Sequence, residues 1–192
     1  MKIILASKSG VRKKILNENK IECDVVHSNV DEDQAKDSFN DLGASPLIIS
    51  KNLAELKSVK VSNKHPGRLV LGADSVVSLN NNLINKPKTR AEALDILKKL
   101  NGSLHFLISS VCISKNGSMI WNYSDKASLT MRNLTEDDLT IYLSKITDEA
   151  LYAYNVYQIE GEGRNLFSNI VGDENTIMGL PIKKIKEYLE KI

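Results

Sequence analysis

The chain has 192 residues, 42% apolar and 26% charged, enough to bury a core as one domain or as two small lobes. Its 26 basic and 24 acidic residues leave a net charge of +2, a near balance that argues against a dedicated nucleic-acid binder. No apolar run approaches the ~18 residues of a membrane span, and MKIILASKSG at the N-terminus lacks a long hydrophobic region and a cleavage site. The expectation is therefore a cytoplasmic protein without membrane or nucleic-acid partners.

In chain order, Lys2–Leu5 reads as a strand, Ala6–Gly10 as a small polar turn, and Val11–Glu18 as a helix with Ile15 and Leu16 on one side and Ser9 as its N-cap. Glu22–His27 reads as a short strand, and the acidic stretch from Asp31 to Gly43 as a loop. Ser45 and Pro46 open a helix to about Val61, with Leu47, Leu53, Ala54 and Lys57 along one stripe. Leu69–Leu79, LVLGADSVVSL, is a strand with a carboxylate, Asp74, in its middle; a turn at Asn80–Asn82 and a short return strand follow.

Thr89 and Glu92 predict a capping box for a helix to Leu100, closed by Asn101 and Gly102. Leu104–Ser114, Asn116-Gly117 and Met119–Met131 read as a hairpin. Thr135 caps a helix carrying Leu139, Tyr142, Leu143 and Ile146; Val156–Ile159 leads into the glycine-rich EGEG; and Pro181 opens a terminal helix through Ile185 and Leu189. Strands alternating with helices, then interrupted by an antiparallel hairpin, indicate an α/β fold with a mixed sheet. Cys23 and Cys112 lie in apolar runs and read as free thiols of a reducing compartment.

An unpaired carboxylate is costly to bury, so Asp74 implies either an outward turn or a cationic partner. Following Leu71-Gly72-Ala73, it fits a strand end that opens onto a cleft, and Gly72 lets a ligand or another backbone approach closely. The Ala6–Arg12 turn ends at a helix N-terminus, which attracts anions, although neither GxGxxG nor GxxxxGKS is present. Lys57, on a partly apolar stripe, and Lys86, before Pro87, read either as solvated lysines or as cleft cations. Glu32 by itself reads as a solvated loop acid. The three histidines are scattered, which speaks against a zinc site. Together, two acids suit a hard divalent cation, and several cations beside a helix N-terminus suit a polyphosphate.

LASKSGVRKKIL, VDE, LAELK, LGADSVV, NKP, YQIEGEG and NTIMGLP occur in order from Ile3 to about Leu189, and this set resembles the Maf family of nucleoside triphosphate pyrophosphatases. The resemblance implies a single Maf-like domain over residues 1–192, with two lobes around a central cleft and a fold like that of the inosine triphosphate pyrophosphatases. It implies hydrolysis of a nucleoside triphosphate to the monophosphate and pyrophosphate with Mg2+ or Mn2+, as a house-cleaning activity on non-standard nucleotides, and a homodimer. Carried over by position, Asp74 is the proton acceptor, Ser7, Arg12, Lys57 and Lys86 lie in the phosphate cleft with Ser9 beside them, and Glu32 joins Asp74 at the metal. The branch preferring dTTP and UTP has arginine at the Val11 position, threonine at Ser75 and glutamine at Glu160; none is present. Glu160 resembles the 7-methyl-GTP branch, which typically has tryptophan at the Val11 position. A carboxylate also suits the paired N1–H and 2-amino donors of guanine. The rival expectation is a nucleotide-binding regulator of cell division with little catalytic activity.

Overall fold

The computed structural model describes residues 2–153 and 156–192. β1 (Ile3–Ala6) leads into α1 (Gly10–Glu18), whose N-cap Ser9 accepts a hydrogen bond from the Arg12 N–H at 3.3 Å. β2 (Cys23–Val25) is followed by α2 (Glu32–Asp41) and α3 (Pro46–Ser62). β3 (Val70–Leu79) turns through Asn80 and Asn81, both at positive φ, into β4 (Asn82–Ile84). Then come α4 (Arg90–Leu100) and the long hairpin of β5 (Leu104–Lys115) and β6 (Ser118–Met131), joined by Asn116 and Gly117 at positive φ. α5 (Glu136–Ser144), α6 (Asp148–Ala153), a 3-10 turn at Glu162–Leu166, β7 (Phe167–Val171), α7 (Glu174–Ile177) and α8 (Ile182–Leu189) complete the chain.

The acidic stretch after Asp31 is a helix, not a loop. Asp31 caps it by accepting from the Gln34 N–H, and Glu32 and Asp33 sit in its first turn, where the helix dipole favours them. On α3 the buried stripe is Ile49, Ser50, Leu53, Ala54, Lys57, Ser58 and Val61, while Leu47 faces outward. At α4 only the forward half of the expected box forms: Thr89 accepts from the Glu92 N–H, but the Glu92 carboxylate accepts from the Lys88 N–H. The reciprocal box is on α5, between Thr135 and Asp138. α6, β7 and α7 are absent from the sequence reading; β7 is short and mostly exposed and pairs with β6 alone.

The seven strands form one mixed sheet, ordered β2-β1-β3-β5-β6-β7, with β4 also on β3. β5 covers one edge of β3 from Val70 to Ser78. β1 and β4 therefore share the other edge, with Ala6 opposite Gly72 at one end and Ile84 opposite Val77 at the other. Between them, among the described residues, no strand lies alongside Ala73–Val76. The expected strand end at Asp74 is thus corrected: β3 runs on to Leu79, and it is the neighbouring strands that stop.

Alternation of side chains explains how this strand holds an acid. On one face, Leu71, Ala73 and Val77 belong with Val111 and Leu107 to apolar cores, interrupted by the paired Ser75 and Ser109, whose hydroxyls are 2.8 Å apart. The core on one side of that pair includes Ile3, Leu5 and Ile185, and the core on the other includes Leu97, Leu129 and Tyr142. Gly72 and Asp74 share the opposite face, against α3. A Cβ on Gly72 would run into the Ala54 carbonyl oxygen and lie 2.8 Å from the Ser58 nitrogen, so the glycine admits a helix backbone.

Candidate active site

The gap in the ladder opens into a cleft of about 500 Å3. Asp74 and Lys57 are each 4% exposed. Lys57 Nζ donates to Asp74 Oδ1 at 2.8 Å and pairs with Glu32 Oε2 at 3.0 Å, so the buried acid has the cationic partner that its burial requires. Gly72 makes this contact available by letting α3 approach β3 at Ala54 and Ser58, next to Lys57. The Asp74 Oδ2 atom is buried and without a hydrogen-bond partner among the described residues.

Side chains replace the missing strand contacts. Arg12 Nη1 donates to the Ala73 carbonyl at 3.0 Å, and Lys57 Nζ reaches the same oxygen at 3.5 Å. Ser50 Oγ adds a bond from α3 to the Asp74 carbonyl, on the edge paired with β5, at 3.3 Å. Arg12 also donates from Nε to the Gly179 carbonyl at 2.9 Å, from Nη1 to Ser7 Oγ at 3.2 Å and from Nη2 to Ser75 Oγ at 3.0 Å. With five N–H donors in all, the guanidinium is largely committed to tying the first turn to β3 and to the turn before α8. Gly179, at φ +97°, passes so close that a Cβ there would be 3.0 Å from Ser75 Oγ. Ser7 Oγ in turn accepts from the Ser9 N–H at 3.2 Å, fixing the loop at the start of α1.

The charges tune one another. Burial alone raises the Glu32 carboxyl, but the charge and hydrogen bond of Lys57, helped by Lys36 and Lys86, carry it below the usual carboxylate value. The Lys86 ammonium is lowered by desolvation and then by Arg12 and Lys36. Burial likewise lowers the Arg12 guanidinium, against the pull of Asp74 and Glu32.

Ser7, Ser9, Arg12, Glu32, Lys57, Asp74, Ser75, Lys86 and Glu160 all line this cleft. Val11 does not: it packs, half-buried, against the core of Ile3, Leu5 and Leu180, because the first turn of α1 points its neighbours Gly10 and Arg12 at the cleft instead. Glu160 is exposed, and its Oε1 accepts from Gln158 Nε2 at 3.2 Å. Behind it, Tyr157 OH lies 3.0 Å from Nε2 of the buried His105. Burial lowers the His105 imidazole to about 4, so it is neutral. The sequence reading misses Lys36, Gln158, Tyr157 and Met178 as cleft residues. Gln158 and Met178 fall inside motifs it singles out, whereas Lys36 lies on the helix it reads as a loop.

No group of three or more His, Cys, Asp or Glu side chains converges as a metal site among the described residues. The donor set nevertheless fits a hard cation. Mg2+ is commonly held by one or two carboxylates together with substrate phosphates, and the unpartnered Asp74 Oδ2 beside Glu32 supplies such oxygens.

A mixed α/β sheet with a cation-lined cleft, a helix N-terminus and a buried, lysine-paired carboxylate defines a protein equipped to hold and act on a phosphorylated ligand. Residues 2–192 match the family model described as Maf-like protein, and the chain belongs to the Maf family. It is 67% identical over 190 residues to a nucleoside triphosphate pyrophosphatase of Pelagibacter ubique, covering 99% of this chain and 97% of that one. It is 36% identical over 191 residues to a 7-methyl-GTP pyrophosphatase of Brucella abortus, covering 100% and 96%. A solved dITP/XTP pyrophosphatase from Mycobacterium abscessus aligns over 100% of this chain and 94% of its own, at 13% identity and a TM-score of 0.48.

Proposed function

We propose that this chain hydrolyses the α–β phosphoanhydride bond of a nucleoside triphosphate, releasing the monophosphate and pyrophosphate. The observation that carries the reading is Asp74: a buried carboxylate with one oxygen on Lys57 and the other, among the described residues, unpartnered, at a stretch of its strand edge that neither β1 nor β4 pairs. Asp74 orients a water and takes its proton as the water oxygen bonds to the α-phosphorus. The bond from the α-phosphorus to the bridging oxygen breaks, and pyrophosphate departs with the bond's electron pair. Lys57 holds Asp74 in place, and Lys86 meets the charge that develops on the leaving group. Ser7, Ser9 and the first N–H groups of α1 orient phosphate oxygens, and Arg12 holds that loop against β3 and Ser75. Glu32 and Asp74 are the residues that would hold Mg2+ or Mn2+, which when bound neutralises phosphate charge.

At the other end of the cleft, Glu160 with Gln158 reads the base. A carboxylate there favours guanine-type bases, and 7-methyl-GTP in particular, over dTTP; the Brucella relative's substrate supports this choice. A house-cleaning role on non-standard nucleotides follows from such a preference. The regulator reading is less well supported, because a pure binder has no use for a desolvated carboxylate kept ready beside a lysine. We further read the chain as one unit of two lobes, supported by the two larger apolar cores, which share one face of the sheet on either side of Ser75 and Ser109. A cytoplasmic location is supported by the free thiols Cys23 and Cys112. Among the described residues, no helix is long and apolar enough to cross a membrane. The homodimer rests on the family resemblance and is tested by sedimentation.

The deciding experiment is a panel of triphosphates, 7-methyl-GTP, GTP, dTTP and UTP among them, with Mg2+ or Mn2+. Equimolar monophosphate and pyrophosphate are expected; release of orthophosphate as the primary product, or of nothing, would overturn the reading.

A further inference from the structure

A second cavity of about 460 Å3 adjoins the main cleft. The residues common to both are Val30, Glu32, Lys36 and Lys86, so the passage between them is flanked by one carboxylate and two ammonium groups. Lys36 lies one helical turn after Glu32 on α2, which sets both side chains on one face of that helix. Glu32 Oε2 is taken by Lys57, and among the described residues no ion pair engages Lys36. Two lysines converging on one opening repel each other, as the lowering of Lys86 by desolvation, Arg12 and Lys36 reflects, and an anion placed between them relieves that repulsion. Past the opening, the second cavity adds Asp31, Asp33 and Asp37 against one further cation, Lys88, so its lining there is net acidic. A row of phosphates entering from Asp74 therefore meets its paired cations, Lys36 and Lys86, at the junction.

We propose that Lys36 is a substrate-binding residue that, with Lys86, grips the terminal phosphates of the triphosphate and the pyrophosphate formed from them. This rests on the pyrophosphatase reading above and gives the substrate a direction: base at Glu160, terminal phosphates at α2. It also gives α2, a helix with no buried residue, a role in holding the leaving group.

The test is product inhibition. Pyrophosphate and the nucleoside monophosphate are each titrated against turnover by the wild type, Lys36→Ala and Lys36→Arg. Alanine is as good a helix former as lysine, so α2 is retained. Lys36→Ala is expected to weaken pyrophosphate inhibition about tenfold while monophosphate inhibition stays within twofold, and Lys36→Arg to restore most of the difference. Unchanged pyrophosphate inhibition in Lys36→Ala, or equal weakening toward both products, overturns the assignment while wild-type turnover leaves the parent reading standing. A wild type that releases no pyrophosphate from any triphosphate overturns both.

Discussion

The parts of the cleft lining that the proposed function assigns to the phosphates and to the base are built to different standards. At the phosphate end, Asp74 and Lys57 are 4% exposed, and Arg12 alone donates to Ser7, Ala73, Ser75 and Gly179. Arg12, Lys57 and Ser75 there are each tied by hydrogen bonds to another element, and, among the described residues, the Asp74 Oδ2 atom is left open. At the base end, Glu160 is exposed and held by one bond from Gln158, on a loop backed by Tyr157 and His105. Tight packing and mutual hydrogen bonds fix the reacting groups, where small displacements cost most. A surface carboxylate with one neighbour can be exchanged without disturbing them. On the proposed reading, the reacting groups are held rigid and the contact to the base is left adjustable.

The rigid part of the site is most vulnerable at Asp74. Asp74→Asn keeps the shape but cannot take a proton, and turnover is expected to fall by about 10²–10⁴ while near-ultraviolet circular dichroism is preserved. Near-normal turnover would remove Asp74 from the reaction. Gly72→Ala probes the same end from behind. Its Cβ meets the Ala54 carbonyl and Ser58 backbone, neither of which can swing away. A loss of roughly 1–3 kcal/mol in denaturant stability is expected, with a drop in kcat because α3 carries Lys57. Unaltered stability would show that α3 slides freely on β3.

How much of this is legible in the sequence follows the same divide. LVLGADSVV is a near-continuous apolar run, and the one acid in it, close after a glycine, marks a strand packed against something special. The caps at Ser9, Ser45 and Thr135 are local signals and appear where expected. α2 escapes because it buries no residue and offers only Ala35 and Phe39 as apolar positions, too few to stand out among its acids; Asp31 and the acids after it are the remaining hint of a helix start. Lys36 escapes with it. The opening beside Asp74 depends on where β1 and β4 pair along β3, a long-range register that local patterns do not encode. The Val11 position has meaning through family comparison alone, since here the side chain serves the core.

The base end should yield to acid before the phosphate end does. His105 is fully buried and lowered to about 4, below its ordinary 6.5. The unfolded chain therefore binds the extra proton first, and the stability of keeping this ring neutral is present above about pH 6.5 and lost as pH falls toward 4. Between pH 7 and pH 5 the loss is roughly 2 kcal/mol. His105→Gln should flatten that slope in denaturant titrations, and an unchanged slope would assign the acid sensitivity elsewhere.

The smallest expected effect sharpens the comparison furthest, because it should move the choice of base alone. Glu160→Gln replaces two acceptors by one acceptor and one donor group, on a side chain that bears on no core residue. Guanine loses one of the two carboxylate contacts to N1–H and the 2-amino group, whereas a pyrimidine carbonyl, which faces a carboxylate unfavourably, gains a donor. The ratio of kcat/KM for 7-methyl-GTP to that for dTTP is expected to fall about tenfold or more, with stability unchanged. The Tyr157–His105 contact behind the loop and the Asp74–Lys57 pair lie outside the exchange, so kcat on the better substrate should hold within a few-fold. If turnover collapses on every triphosphate instead, Glu160 belongs with the reacting groups, and the two ends of the cleft are not separable.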